Sequence, residues 1–113
     1  EMCIRDRWSP AEAFPEGVNV EFVRQVGRTH VQMRVFERGV GETLSCGTGT
    51  VAVAAVMARR TGDLGPWRVD VPGGRITVEL AQSQNGEVLA SLTGPAVLVA
   101  QGEVHIPDEA VSR

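Results

Sequence analysis

The feature that most constrains this chain is the run VAVAAVMA, Val51 to Ala58, which is apolar at every position and directly follows the glycine-rich loop ERGVGETLSCGTGT, Glu37 to Thr50. A helix over Gly49 to Arg60 with apolar residues on every side has no polar face to give to water, so it calls for burial around its whole circumference. Its length is about 18 Å at a rise of 1.5 Å per residue. Arg59 and Arg60 suit the negative end of the helix dipole, and Gly62 suits a left-handed cap. A curved antiparallel sheet or barrel wrapped around the helix would bury all of it. A sheet with the helix on one face would leave half of it wet.

Strands to build such a sheet are present on both sides. VNVEFVRQV, Val18 to Val26, and THVQMRVFE, Thr29 to Glu37, alternate apolar and polar residues around a turn at Gly27 and Arg28, which predicts an antiparallel hairpin. Beyond the helix, WRVDV and GRITVEL flank Pro72-Gly73 as a second hairpin. GEVLASL comes after an Asn85-Gly86 turn, and VLVA, within Ala96 to Ile106, reads as a last short strand. The fold class is α+β, with about six strands and one apolar helix.

At 113 residues the chain is one small domain or a piece of a larger one. Residues 1–7, EMCIRDR, do not share the pattern of the rest of the chain. MCIRD resembles a translated sequencing adapter, so this segment is expected to be foreign and its Cys3 to carry no function. Residues 8–17 read as a loop, 18–96 as the domain, and 97–113 as the last strand and a polar tail. With a net charge of −3 and no basic run, the footprint of a nucleic-acid binder is missing. The longest apolar run falls far short of the roughly 20 residues a bilayer needs, and no signal peptide is visible, so a cytoplasmic protein without membrane partners is expected.

All eleven basic residues are arginine. Without lysine there is no Schiff base to hold pyridoxal phosphate, which removes one large class of amino-acid chemistry. His30 and His105 lie far from each other and from Cys46, so no metal site is expected and a surface role suits both histidines. Cys46 is the notable thiol. It falls at or just before the first helical turn, where backbone N–H groups lack partners and the dipole is positive, and both effects favour a thiolate. Gly47, Thr48 and Gly49 then offer backbone N–H groups to a carboxylate or phosphate. The plain alternative, a buried cysteine acting as a small hydrophobe, stays open. So do the plain readings of Glu37 and Arg38 as a solvated strand end and of Asn19 as turn chemistry.

GTGTVA, Gly47 to Ala52, fits the dinucleotide fingerprint, and Asp70 lies about 20 residues on. Its context fails: no apolar strand runs into the first glycine, and the Pro72-Gly73 hairpin signals antiparallel pairing where a parallel crossover belongs.

NVEFV at Asn19 to Val23, RVFERGVGET at Arg34 to Thr43 and CGTGT at Cys46 to Thr50 resemble the C-terminal half of diaminopimelate epimerase, over a stretch from about Phe14 to His105. Proline racemases and hydroxyproline epimerases share the CGTG and helix portion but lack the ERG-x-GET approach, and the phenazine-biosynthesis relatives replace the cysteine. The resemblance implies a cofactor-independent isomerase that interconverts LL- and meso-diaminopimelate, in lysine and peptidoglycan precursor synthesis, by proton transfer between two cysteines. Cys46 would be one of the pair, and Gly47 and Thr48 would hold the α-carboxylate. Asn19, Glu37 and Arg38 would bind the substrate, with Glu37 also tuning the thiol. It further implies two pseudo-symmetric halves, each a β-structure around a central helix. The second cysteine and a histidine upstream of Asn19 belong to the missing N-terminal half, to which the last strand returns. The isolated chain is therefore expected to be inactive, with an apolar edge from about Val97 onward. Other roles left open are half of a proline-racemase-like enzyme and a non-catalytic carboxylate-binding module, and a homodimer is compatible with any of the three.

Overall fold

A computed structural model describes residues 11–106. After a 3₁₀ turn at Ala11–Ala13 come β1 (Val20–Gly27), β2 (His30–Glu37), β3 (Gly41–Thr43), α1 (Gly47–Thr61), β4 (Trp67–Val71), β5 (Gly74–Gln82) and β6 (Val88–Thr93). The fold is α+β, as the sequence predicts. The strands form one six-stranded sheet in the order β1-β2-β4-β5-β6, with β3 paired to β2 off that path.

Three hairpins form as expected, two with turns at Pro72-Gly73 and around Asn85-Gly86, and the first with its turn one residue later than expected, at Arg28-Thr29, because Gly27 still pairs with His30 at the end of β1. Of the curved sheet or barrel expected around the helix, the open sheet is what forms, and it departs from all-antiparallel pairing at one place: β2 and β4 run parallel, with His30 opposite Arg68 and Gln32 opposite Asp70. The physical reason is the helix. Parallel neighbours need a long crossover, and the β3–α1 segment supplies it. The inner edge of β2 is thus divided: its first residues, His30 to Gln32, pair with β4, and its last, Val35 to Glu37, pair with β3.

Strand alternation sends Val31, Met33 and Val35, then Trp67, Val69 and Val71, then Ile76, Val78 and Leu80 to the side that packs against Val53, Ala54, Met57 and Ala58 of α1. Each of the fully buried valines contributes about 1.5–3 kcal/mol relative to exposure. The helix is covered on one face only. Gly49, Thr50, Val53, Ala54, Met57 and Ala58 are buried, whereas Val56 is 57% exposed and Ala52 is also open to solvent. This corrects the expectation of burial all round: an open sheet contacts one stripe of a helix, and nothing among the described residues covers the other.

The last predicted strand is also absent. VLVA forms no strand, and Val97, Leu98 and Val99 are 79%, 82% and 89% exposed, since no partner strand lies beside them among the described residues. Residues 1–10 and 107–113, with the segment expected to be foreign, lie outside the described residues.

Candidate active site

The site is assembled at the end of β2 and in the loop that leads into α1. Asn19, just ahead of β1, accepts a hydrogen bond at Oδ1 from the backbone N–H of Arg38 at 2.8 Å, which ties the residue before the first strand to the residue after the second. The antiparallel register of β1 and β2 makes this link possible, because Val20 stands opposite Phe36. Arg38 is thereby fixed in its backbone while its side chain is exposed to solvent.

Glu37 is half-buried and receives the hydroxyl hydrogen bond of Thr43, Oγ1 to Oε1 at 2.5 Å. Thr43 ends β3, a three-residue strand not expected from the sequence, in which Gly41 pairs with Glu37 and Thr43 with Val35. The strand is held by Arg34, whose Nε and Nη2 donate to Glu42 Oε1 and Oε2 at 2.6 and 2.7 Å. That bidentate bond holds the Glu42 carboxyl below its usual range. Glu37 therefore reaches the cysteine loop through Thr43 rather than by a direct hydrogen bond to Cys46.

Cys46 is the N-cap of α1, with φ −138° and ψ 114°, and its side chain makes no capping bond. Its carbonyl accepts from both the backbone N–H of Thr50 at 2.9 Å and the Thr50 hydroxyl at 2.7 Å, and Thr50 is wholly buried. The loop ahead is pinned as well, by the Gly73 N–H donating to Leu44 O at 2.8 Å; a Cβ on Gly73 would stand 3.1 Å from that carbonyl oxygen. Cys46 is 8% exposed, and its Sγ lies 3.5 Å from Thr48 Oγ1. Gly47 and Thr48 are exposed at the first helical positions, where backbone N–H groups have no carbonyl one turn back to bond. The thiol thus belongs to the apolar core on one side and touches a hydroxyl at the open helix end on the other.

Asn19, Glu37 and Arg38 are consequently brought together at one end of the β1–β2 hairpin, and Cys46, Gly47 and Thr48 are joined to them through β3. Three residues not singled out in the sequence take part: Thr43, Thr50 and Glu21. Glu21 stands opposite the buried Val35, on the α1 side of the sheet, and its carboxylate lies over Gly49. Its signal was hidden, because β1 turns Val20 and Phe22, its more apolar set, to the other face. A cleft of about 540 Å³ on the sheet is lined by Phe22, Met33, Asp70 and Pro72 among others and includes none of the candidate residues.

His30, expected at the surface, is half-buried instead, and its Nε2 lies 2.8 Å from Asp70 Oδ2. Among the described residues no group of three His, Cys, Asp or Glu side chains is placed to hold a metal ion, and no helix is long and apolar enough to cross a membrane.

An open α+β sheet carrying one helix, with a cysteine at that helix's N-cap and a glutamate–arginine pair where β2 ends, defines a class of protein that presents a thiol beside the open N-terminal end of a helix. The family model described as diaminopimelate epimerase matches residues 4–99. Similar proteins include the diaminopimelate epimerases of Streptomyces coelicolor, 53% identical over 84% of this chain and 34% of that protein, and of Thermobifida fusca, 50% identical over 85% and 33%. That of Corynebacterium glutamicum strain R is 48% identical over 94% and 37%. The chain belongs to the diaminopimelate epimerase family, and it spans about a third of the length of these relatives.

Proposed function

We propose that this chain is the C-terminal part of a diaminopimelate epimerase and supplies one of two cysteines that exchange the α-proton of the substrate. The observation that carries the reading is the position of Cys46 as the N-cap of α1, with its sulfur at the open helix end and no capping bond to satisfy. A helix N-terminus favours negative charge, so the same geometry favours a thiolate and a bound carboxylate. In this reading the Gly47 and Thr48 N–H groups hold the α-carboxylate and stabilise the charge that develops when the α-carbon loses its proton.

The proton balance is simple. One cysteine thiolate takes the α-proton from one face and becomes a thiol, and the opposing thiol returns a proton to the other face and becomes a thiolate, so no cofactor is consumed. Asn19 sets the backbone of Arg38, the guanidinium of Arg38 binds a carboxylate of the substrate, and Glu37, oriented by Thr43, binds an ammonium group. The test is made in the complete enzyme that carries this segment. Cys46→Ala is expected to lower epimerisation, and the exchange of the substrate α-proton for solvent deuterium, by at least about a thousandfold, the scale on which removing a proton-transfer group acts. Retention of near wild-type exchange by Cys46→Ala overturns the assignment.

A further inference from the structure

The carboxylate of Glu21 lies against Gly49 in the first turn of α1, and it has no role in the proton transfer just described. Its carboxylate occupies the space that a side chain at position 49 would take: a Cβ built on Gly49 would stand 2.6 Å from Glu21 Oε1, 3.2 Å from its Cγ and 3.3 Å from its Cδ. Helical Cα–Cβ bonds tilt toward the N-terminus, so that space opens toward the turn begun by Cys46. Gly49 is buried and Glu21 half-buried, and among the described residues no hydrogen bond or ion pair involves the Glu21 carboxylate. A carboxylate removed from part of its water and left without a partner is unfavourable unless a field holds it. The positive end of α1 is that field.

We infer that Glu21 is the resident anion of the α1 N-terminus, seated in the notch left by Gly49, and that it sets how readily a second anion reaches Cys46. The inference rests on the reading of that helix end as the carboxylate site. With Glu21 in place the end is already partly neutralised, so an arriving carboxylate gains less from it and weak or misplaced anions are turned away. Because the carboxylate is held by the field alone, with no hydrogen bond to break, a substrate fixed by other contacts can displace it. Glu21 is a positioning residue for charge, one helical turn from the thiol.

Alkylation of Cys46 by iodoacetate and by iodoacetamide tests this without any epimerisation. Both reagents meet the same thiolate and are close in size, so the ratio of their rates cancels the thiol's ionisation and its exposure and reports the charge felt by an approaching carboxylate. The measurement uses the full chain with Cys3→Ser, so that one thiol remains, and an unfolded control in urea. Glu21→Gln is expected to raise the iodoacetate-to-iodoacetamide ratio about threefold, the size expected for removing one partly solvated charge nearby. Gly49→Ala, whose methyl group evicts the carboxylate, should raise it similarly, and the double variant no further than either alone. A ratio unmoved by Glu21→Gln, single effects that simply add, or ratios equal to the urea control in every protein would each overturn the inference. Loss of activity in Cys46→Ala stands or falls separately.

Discussion

Asp70 shows how much one carboxylate can organise on the sheet face that looks away from α1. It sits opposite Arg75 in the β4–β5 register and accepts from Arg75 Nε at 2.6 Å, while Nη2 lies 3.3 Å from its other oxygen, which also faces His30. Arg75 first and His30 second lower its pKa from 3.8 to about 2. The unfolded chain therefore takes up a proton near pH 4 that the folded chain refuses until about pH 2. The cluster's contribution is fully present above about pH 4 and is lost as pH falls through 2. Urea midpoints measured between pH 6 and pH 2.5 should decline less steeply for Asp70→Asn than for the unaltered chain, and parallel declines would remove Asp70 from the acid response. Neither histidine nor aspartate announces this pairing in sequence. The two are joined by the parallel β2–β4 register, a contact that local alternation does not encode.

At the scale of elements, what was legible is what local chemistry decides. The hairpins, the place of Cys46 just ahead of α1 and the Gly62 cap were readable, because turns and caps depend on the residues that form them, while the helix itself, Gly47–Thr61, begins two residues before and ends one after the expected Gly49 to Arg60. Gly62 caps the helix with φ 75°, and its N–H donates to Ala58 O at 2.8 Å. Gly62→Ala puts a Cβ into a left-handed backbone and should cost about 1 kcal/mol, seen as a drop in melting temperature with the same far-ultraviolet circular dichroism; an unchanged or higher melting temperature would show that the cap is not under that constraint. What was not legible is what distant neighbours decide. Val56 and Val53 look alike in sequence, yet one is 57% exposed and the other 5%, since only one of them faces the sheet. Strand β3 is too short to show an alternation, although its Thr43 orients Glu37. Of the candidate site, the residue types and their order were readable, and the links through Thr43, Thr50 and Glu21 were not.

At the scale of the whole molecule, many large apolar side chains among the described residues stand in solvent. Leu89 and Val88 of β6 are each 58% exposed, Val97 to Val99 more so, and the uncovered stripe of α1 adds Val56. The radius of gyration, 17.8 Å, compares with about 13 Å for a compact chain of this length. The open sheet, the apolar tail without a strand partner among the described residues and the half-covered helix fit the proposal that this is part of a longer enzyme, as the match to about a third of the relatives' length does. Two expectations share this one cause. The 113-residue protein alone should bind a hydrophobic dye strongly and should not epimerise diaminopimelate above a Cys46→Ala control, because in the proposed mechanism the opposing cysteine comes from outside this chain. Supplying the remaining two thirds of the family's length as a second polypeptide should suppress the dye signal and raise epimerisation together. Epimerisation by the chain alone would show that one thiol suffices. Dye suppression without activity would mean that the added segment covers the apolar surface but does not complete the site, which would separate what holds this fold closed from what makes its thiol work.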